Sequence, residues 1–109
     1  MSYRPEYLGV EPARADIDAR PGATLLEFGA PWCPHCIAAQ PALRELLSTR
    51  DGVDHVKVED GSGRPLGRSY RIKLWPTLVL VCDGDEVARV VRPRTSADLE
   101  PLRSALDAG

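Results

Sequence analysis

The stretch Trp32-Cys33-Pro34-His35-Cys36 lies where one hydrophobic pattern gives way to another. Just upstream, residues 24–28 (Thr-Leu-Leu-Glu-Phe) form an apolar run too short for a helix. The Arg20-Pro21-Gly22 break opens it and Gly29-Ala30-Pro31 closes it, so it reads as a strand. Downstream, Ile37, Leu43, Leu46 and Leu47 recur at helical spacing, and residues 34–48 read as a helix. Cys33 then takes the N-cap. Pro34 takes the first helical position, where a missing N–H is no loss. Two cysteines are therefore expected one turn apart at the mouth of a helix that follows a strand.

That placement carries chemistry. At the helix start Cys33 faces unpaired N–H groups and the positive end of the helix dipole, and both favour thiolate over thiol. Cys36, one turn in, is less exposed and keeps a higher pKa. A pair so divided suits disulfide exchange: Cys33 attacks a substrate disulfide and Cys36 resolves the mixed disulfide. His35 can add positive charge beside the Cys33 sulfur. A cysteine of pKa ~8.5 is about 3% thiolate at pH 7, whereas one at ~6 is about 90%. Stabilising the thiolate stabilises the reduced form, so Pro34-His35 should make a weaker reductant than a Gly-Pro pair. A C-x-x-C is also half of a zinc site. Zinc takes four ligands, and only Cys82, His35 and His55 remain, in no paired spacing.

The rest of the chain completes an α/β pattern. Residues 53–58 read as a second strand, 65–70 as a short helix and 77–81 as a buried, β-branched strand. Asp83-Gly84 is a tight-turn signal, with residues 86–91 as the hairpin partner. Residues 95–106 read as an amphipathic helix with Leu99, Leu102 and Leu106 on one stripe. A βαβ unit followed by a hairpin and a helix predicts a mixed central sheet with helices on both faces. Residues 1–22 offer only a candidate edge strand over 7–10 and a candidate short helix over 12–19. Composition narrows the function. With 109 residues one domain, 1–109, is expected. A net charge of −2 and the lack of a basic stripe argue against a nucleic-acid partner. No apolar run is long enough to cross a membrane, and Met1-Ser2-Tyr3-Arg4-Pro5-Glu6 begins no signal region, so a cytoplasmic chain is expected. Three cysteines do not make a disulfide-stapled secreted scaffold. Twelve arginines against two lysines read as compositional bias.

Phe28-Gly-Ala-Pro-Trp32-Cys-Pro-His-Cys36 resembles the active site of the thioredoxin superfamily, and Trp75-Pro76-Thr77 resembles its cis-proline loop. Pro41, five residues past Cys36, matches a helix-kinking proline of that family, and Asp83-Gly84 matches its hairpin turn. The likeness runs from about Thr24 to the end of the chain and implies a thioredoxin fold. It implies that Cys33 is the nucleophile, Cys36 the resolving thiol and Pro76 a cis-proline lying against the sulfurs. The backbone of Trp75 would then pair with a substrate segment in strand fashion, and Trp32 would shield the edge of the active site. Glu27 stands where the family usually has Asp, a proton acceptor for the resolving cysteine through water. The strand alternation makes Glu27 a candidate buried carboxyl with Lys57 at the corresponding place on the next strand. A structural buried ion pair is the competing account.

The chain also departs from the family. Gly29 replaces a second Trp, Arg92-Pro93 replaces a glycine-containing loop, and Trp75 stands where Ile is common. A bulkier, more cationic groove is one reading of Arg89, Arg92 and Arg94; a solvated strand end is the other. Cys82 reads as an inert buried thiol and His55 as a packed or surface histidine. Together these point to a thiol–disulfide oxidoreductase, monomeric, that reduces protein disulfides in the cytoplasm. It would need no bound cofactor, since the dithiol is the redox centre. A thioredoxin-reductase-type, NADPH-linked donor or glutathione would regenerate it. A disulfide oxidase or isomerase and a redox-gated binding module or sensor are the alternatives.

Overall fold

A computed structural model describes residues 2–108. The helix α1 (Arg14–Asp18) precedes the strand β1 (Ala23–Gly29), the helix α2 (Pro34–Ser48) and the strand β2 (Val53–Glu59). The helix α3 (Pro65–Ser69), the hairpin β3 (Thr77–Cys82) and β4 (Asp85–Val91), a 3-10 turn (Ser96–Leu99) and the helix α4 (Glu100–Ala108) follow. Among the described residues the sheet has the order β2-β1-β3-β4. The β1–β2 pair is parallel, and β1–β3 and β3–β4 are antiparallel. Parallel neighbours need a crossover, and α2 supplies it.

Alternation along β1 splits the core in two. Leu25 points to the face where Leu43, Leu46 and Leu47 of α2 meet Leu78, Leu80, Leu99 and Leu102. Leu26 and Phe28 point to the other, with Ile17 of α1, Val56, Val58, Val79 and Leu66 of α3. Each fully buried leucine contributes on the order of 2 kcal/mol of transfer free energy, so both faces of β1 are anchored. The turn between β3 and β4 consists of Asp83 and Gly84, with φ of 50° and 88°. Two consecutive positive φ values mark a type I′ turn, for which Asp-Gly is favoured. A Cβ at residue 84 would also lie 2.4 Å from the Asp18 carbonyl oxygen.

Several expectations are revised. Residues 7–10 do not form an edge strand; the Leu8 N–H donates to the Lys57 carbonyl at 2.9 Å, and no ladder develops. Pro5, Gly9 and Pro12 interrupt any regular pairing there. The first helix is confined to Arg14–Asp18. The C-terminal helix is divided: Thr95 caps the 3-10 turn in a capping box with Asp98, and α4 begins at Glu100. Ile37, counted on the apolar stripe of α2, is exposed beside Cys36, and Ala39 and Ala42 are buried instead. Cys82 is half-buried.

Candidate functional site

Cys33 is the N-cap of α2, with extended φ/ψ of −78°/119°. Its sulfur accepts the Cys36 backbone N–H at 3.3 Å, one of the donors a helix start leaves unpaired. Pro34 occupies the first turn, and Pro41 lies inside the helix without ending it. Both active-site cysteines are buried, Cys33 at 5% exposure and Cys36 at 1%. The Cys36 pKa is pushed up to about 12, first by burial and then by hydrogen bonding to the neighbouring Cys33, while hydrogen bonding from the Ala30 backbone and Tyr7 opposes the rise. The His35 ring is half-exposed and forms no hydrogen bond or ion pair among the described residues. The visible polar contact to the Cys33 sulfur comes from backbone instead.

The Trp75–Pro76 peptide bond is cis. Trp75 packs against Ala30, Cys33 and Cys36, and its indole Nε1 donates to Asp60 Oδ2 at 2.9 Å. Trp32 meets it edge-on, with ring centroids 5.7 Å apart, and is otherwise open to solvent. Arg92 adopts a φ of 51°. Its N–H donates to the Pro76 carbonyl at 2.8 Å and its Nε to the Trp75 carbonyl at 2.9 Å. The Trp75 carbonyl, part of the backbone expected to pair with a substrate strand, therefore already accepts one guanidinium hydrogen bond and keeps one lone pair. Arg89 pairs with Glu86 and donates to the Tyr70 carbonyl, and the Arg94 N–H donates to Asp98. Of the three arginines, Arg92 is the one bonded to the cis-proline loop.

Behind the sulfurs lies a buried polar network. Glu27 and Lys57 are register partners on β1 and β2. Glu27 is fully buried, and its Oε2 is 3.8 Å from Lys57 Nζ. Its Oε1 is 2.8 Å from His55 Nε2. His55 Nδ1 accepts the Arg4 N–H at 2.7 Å, which assigns the ring hydrogen to Nε2 and makes His55 the donor to Glu27. Gln40 joins the network to α2. Its Nε2 donates to Glu27 Oε2 at 2.9 Å and to the Cys36 carbonyl at 2.7 Å. Its Oε1 accepts from Lys57 Nζ at 2.9 Å and from the Tyr3 hydroxyl at 2.7 Å. Residues 2–8 cross this network as a strap, held also by Lys57 Nζ donating to the Pro5 carbonyl at 3.1 Å.

Three residues at this site escaped the sequence reading. Gln40 is a polar position on a helix with no motif around it. His55 is the packed one of its two expected alternatives, but its partnership with Glu27 carries no sequence signal. Tyr7, from the strap, brings its hydroxyl beside the Cys36 sulfur over Gly29, and the phenol favours the Cys36 thiolate. The one available signal for Tyr7 was Gly29, which leaves room where a large ring was expected. A cleft of about 570 Å³, lined by Tyr7, Pro31, Cys36, Ile37, Gln40 and Lys57 among others, leads in from solvent. Among the described residues no group of three His, Cys, Asp or Glu side chains is arranged to hold a metal ion.

Two neighbouring thiols, one capping a helix and one buried a turn behind it, are arranged for dithiol–disulfide exchange. Comparison with known proteins leads to the same place. The family model described as Thioredoxin matches residues 12–104. The structure of thioredoxin 2 from Pseudomonas aeruginosa PAO1 in its reduced form is 51% identical, with a TM-score of 0.85 over 98% of this chain and 100% of that one. Thioredoxin from Chlamydia pneumoniae is 36% identical over 70 residues, 64% of this chain and 69% of that protein. Protein disulfide-isomerase A3 from Gallus gallus is 35% identical over 92 residues, 80% of this chain but 18% of that protein. The chain spans less than two thirds of the length of several of the curated relatives it matches. The chain belongs to the thioredoxin family.

Proposed function

We propose that the protein is a thiol–disulfide oxidoreductase that reduces protein disulfides through Cys33 and Cys36. The observation that carries this is the geometry of the pair: the Cys33 sulfur caps α2 and accepts the Cys36 backbone N–H at 3.3 Å, with the Cys36 thiol buried one turn behind it. In the first step the Cys33 thiolate attacks one sulfur of the substrate disulfide and expels the other as a thiolate. In the second, Cys36 attacks the Cys33 sulfur, frees the substrate as a thiol and closes the Cys33–Cys36 disulfide. Trp32, Trp75 and Pro76 form the surface the substrate meets, and Arg92 at the Trp75 carbonyl tunes that contact. Glu27 and Lys57 hold the floor of the site; their contacts run through Gln40 to the Cys36 carbonyl, which favours a positioning role over direct proton transfer. A NADPH-linked reductase of thioredoxin-reductase type or glutathione returns the electrons. A reducing compartment such as the cytoplasm suits a dithiol that acts as a reductant.

The test is turnover of a disulfide-bonded protein such as insulin, with dithiothreitol and then with reductase and NADPH. Wild-type protein should catalyse the reduction, Cys33→Ser should abolish it, and Cys36→Ser should accumulate a covalent mixed disulfide visible by mass spectrometry. Turnover that survives Cys33→Ser would overturn the assignment. A Cys33 that reacts with alkylating agents in a protein without turnover would favour the sensor reading.

A further inference from the structure

The strap of residues 2–8 delivers a group that ordinary exchange chemistry does not require. Tyr3, Arg4 and Pro5 fix it on Gln40, His55 and Lys57, and the Tyr7 hydroxyl comes to lie beside the Cys36 sulfur over Gly29, in the same cleft. Gly29 admits it. A Cβ at residue 29 would stand 2.6 Å from Cys36 Sγ and 3.2 Å from the Tyr7 hydroxyl oxygen, so any side chain there would claim the same space.

We propose that Tyr7 is a catalytic hydrogen-bond donor to Cys36, stabilising the thiolate that resolves the mixed disulfide. This rests on the exchange reaction proposed above and adds a residue to it. Cys36 is buried, and burial disfavours its thiolate. The groups facing the pair are Cys33 on its own helix, Glu27 from β1 and Lys57 from β2, whose Nζ lies 4.9 Å from the Tyr7 ring centroid. Both Glu27 oxygens are engaged by His55, Gln40 and Lys57, which leaves the phenol as the side-chain donor at the sulfur. Tyr7 acts as a donor and not as a base. Its own pKa is raised by burial first, then by Glu27 and Cys36, so its proton stays on oxygen. In the resolving step the Cys36 proton leaves to water in the cleft. The thiolate then attacks Cys33 Sγ, the bond from Cys33 to the substrate sulfur breaks, and the Cys33–Cys36 bond forms. The departing electron pair leaves on the substrate sulfur, which takes a proton from water.

Stopped-flow reaction of the reduced protein with the aromatic disulfide dithiobis(nitrobenzoate), in a Cys82→Ser background, separates the steps. The first thionitrobenzoate released reports Cys33 attack and the second reports resolution by Cys36. A hydrogen bond to a charged group is worth enough that Tyr7→Phe should slow the second release about tenfold at pH 7 and move its pH profile up by about one unit. The first release should stay within about twofold of wild type, since Tyr7 contacts the other sulfur. A second release at the wild-type rate with an unmoved profile would overturn the proposal, as would parallel slowing of both steps with no change in pH dependence. If Tyr7→Phe does not fold, fluorotyrosine at position 7, a stronger donor of nearly equal size, should speed the second release; an unchanged rate would overturn it. Wild-type protein that releases no second thionitrobenzoate refutes the exchange reading itself, whatever Tyr7 does.

Discussion

Replacing Glu27 by leucine isolates the energetics of the floor beneath the sulfurs. Glu27, His55 and Lys57 are all at or below 2% exposure, so solvent screens their interactions little. Without the carboxylate, Lys57 keeps two neutral acceptors, Gln40 Oε1 and the Pro5 carbonyl, but loses its partner charge 3.8 Å away. Removing one member of a buried pair costs about 3–5 kcal/mol. His55 also loses the acceptor for its Nε2 hydrogen, which costs about 1–3 kcal/mol for a buried donor. These losses overlap, because the freed groups can shift toward each other, and we expect a total of about 4 kcal/mol. At about 4 °C per kcal/mol for a chain of this size, that is a fall in Tm of ~15 °C.

Adding Lys57→Met removes the stranded ammonium, and a buried pair replaced by apolar groups of similar volume is often neutral. The double variant should therefore recover at least about half of the loss. Equilibrium unfolding in guanidinium at pH 7 on the reduced protein, followed by Trp fluorescence, measures all three proteins. A loss under about 1 kcal/mol for Glu27→Leu, the range of exposed pairs, would refute the reasoning. So would a double variant no more stable than the single one.

Two other outcomes are expected. Arg92→Ala frees the Trp75 carbonyl that Arg92 Nε occupies, so KM for a disulfide-bonded peptide should fall severalfold with kcat little changed; an unchanged KM would show that the acceptor is not part of substrate binding. Asp98 has a lowered pKa because the Arg94 and Thr95 backbone N–H groups donate to it. A folded-state pKa below the unfolded value gives stability that is present above about pH 4 and is lost as pH falls through the folded value. The Tm gap between wild type and Asp98→Asn should therefore be open at pH 7 and close in acid, and a gap constant with pH would contradict this.

Periodicity decided what could be read in advance. The central strand at residues 24–28, the helix at 34–48 and the Asp83-Gly84 turn each carry a local signature, and the fold places them accordingly. The Glu27–Lys57 pairing followed from alternation on adjacent strands. Ile37 shows the limit of that logic: its spacing suits the core, yet it sits on the turn that faces the cleft. The strap was illegible for a different reason. Its hydrogen bonds go to side chains and carbonyls of β2 and α2, tens of residues away, and such contacts leave no repeat in the sequence. Arg92 was legible as a departure from the family but not as a ligand of the Trp75 carbonyl, because that depends on a positive φ no pattern announces.

The strap is joined to the sheet core by side-chain and single backbone hydrogen bonds, with exposed, irregular chain at Gly9 and Val10 between it and α1. A proteolytic nick in that link would leave β1 to β4 and the buried residues of both apolar layers in place, loosening only Tyr3 and Leu8 at their edges. Two preparations differing in such a cut would therefore share a circular dichroism spectrum while closing their disulfides at different speeds, and the intact mass of the chain should be checked before rates are compared.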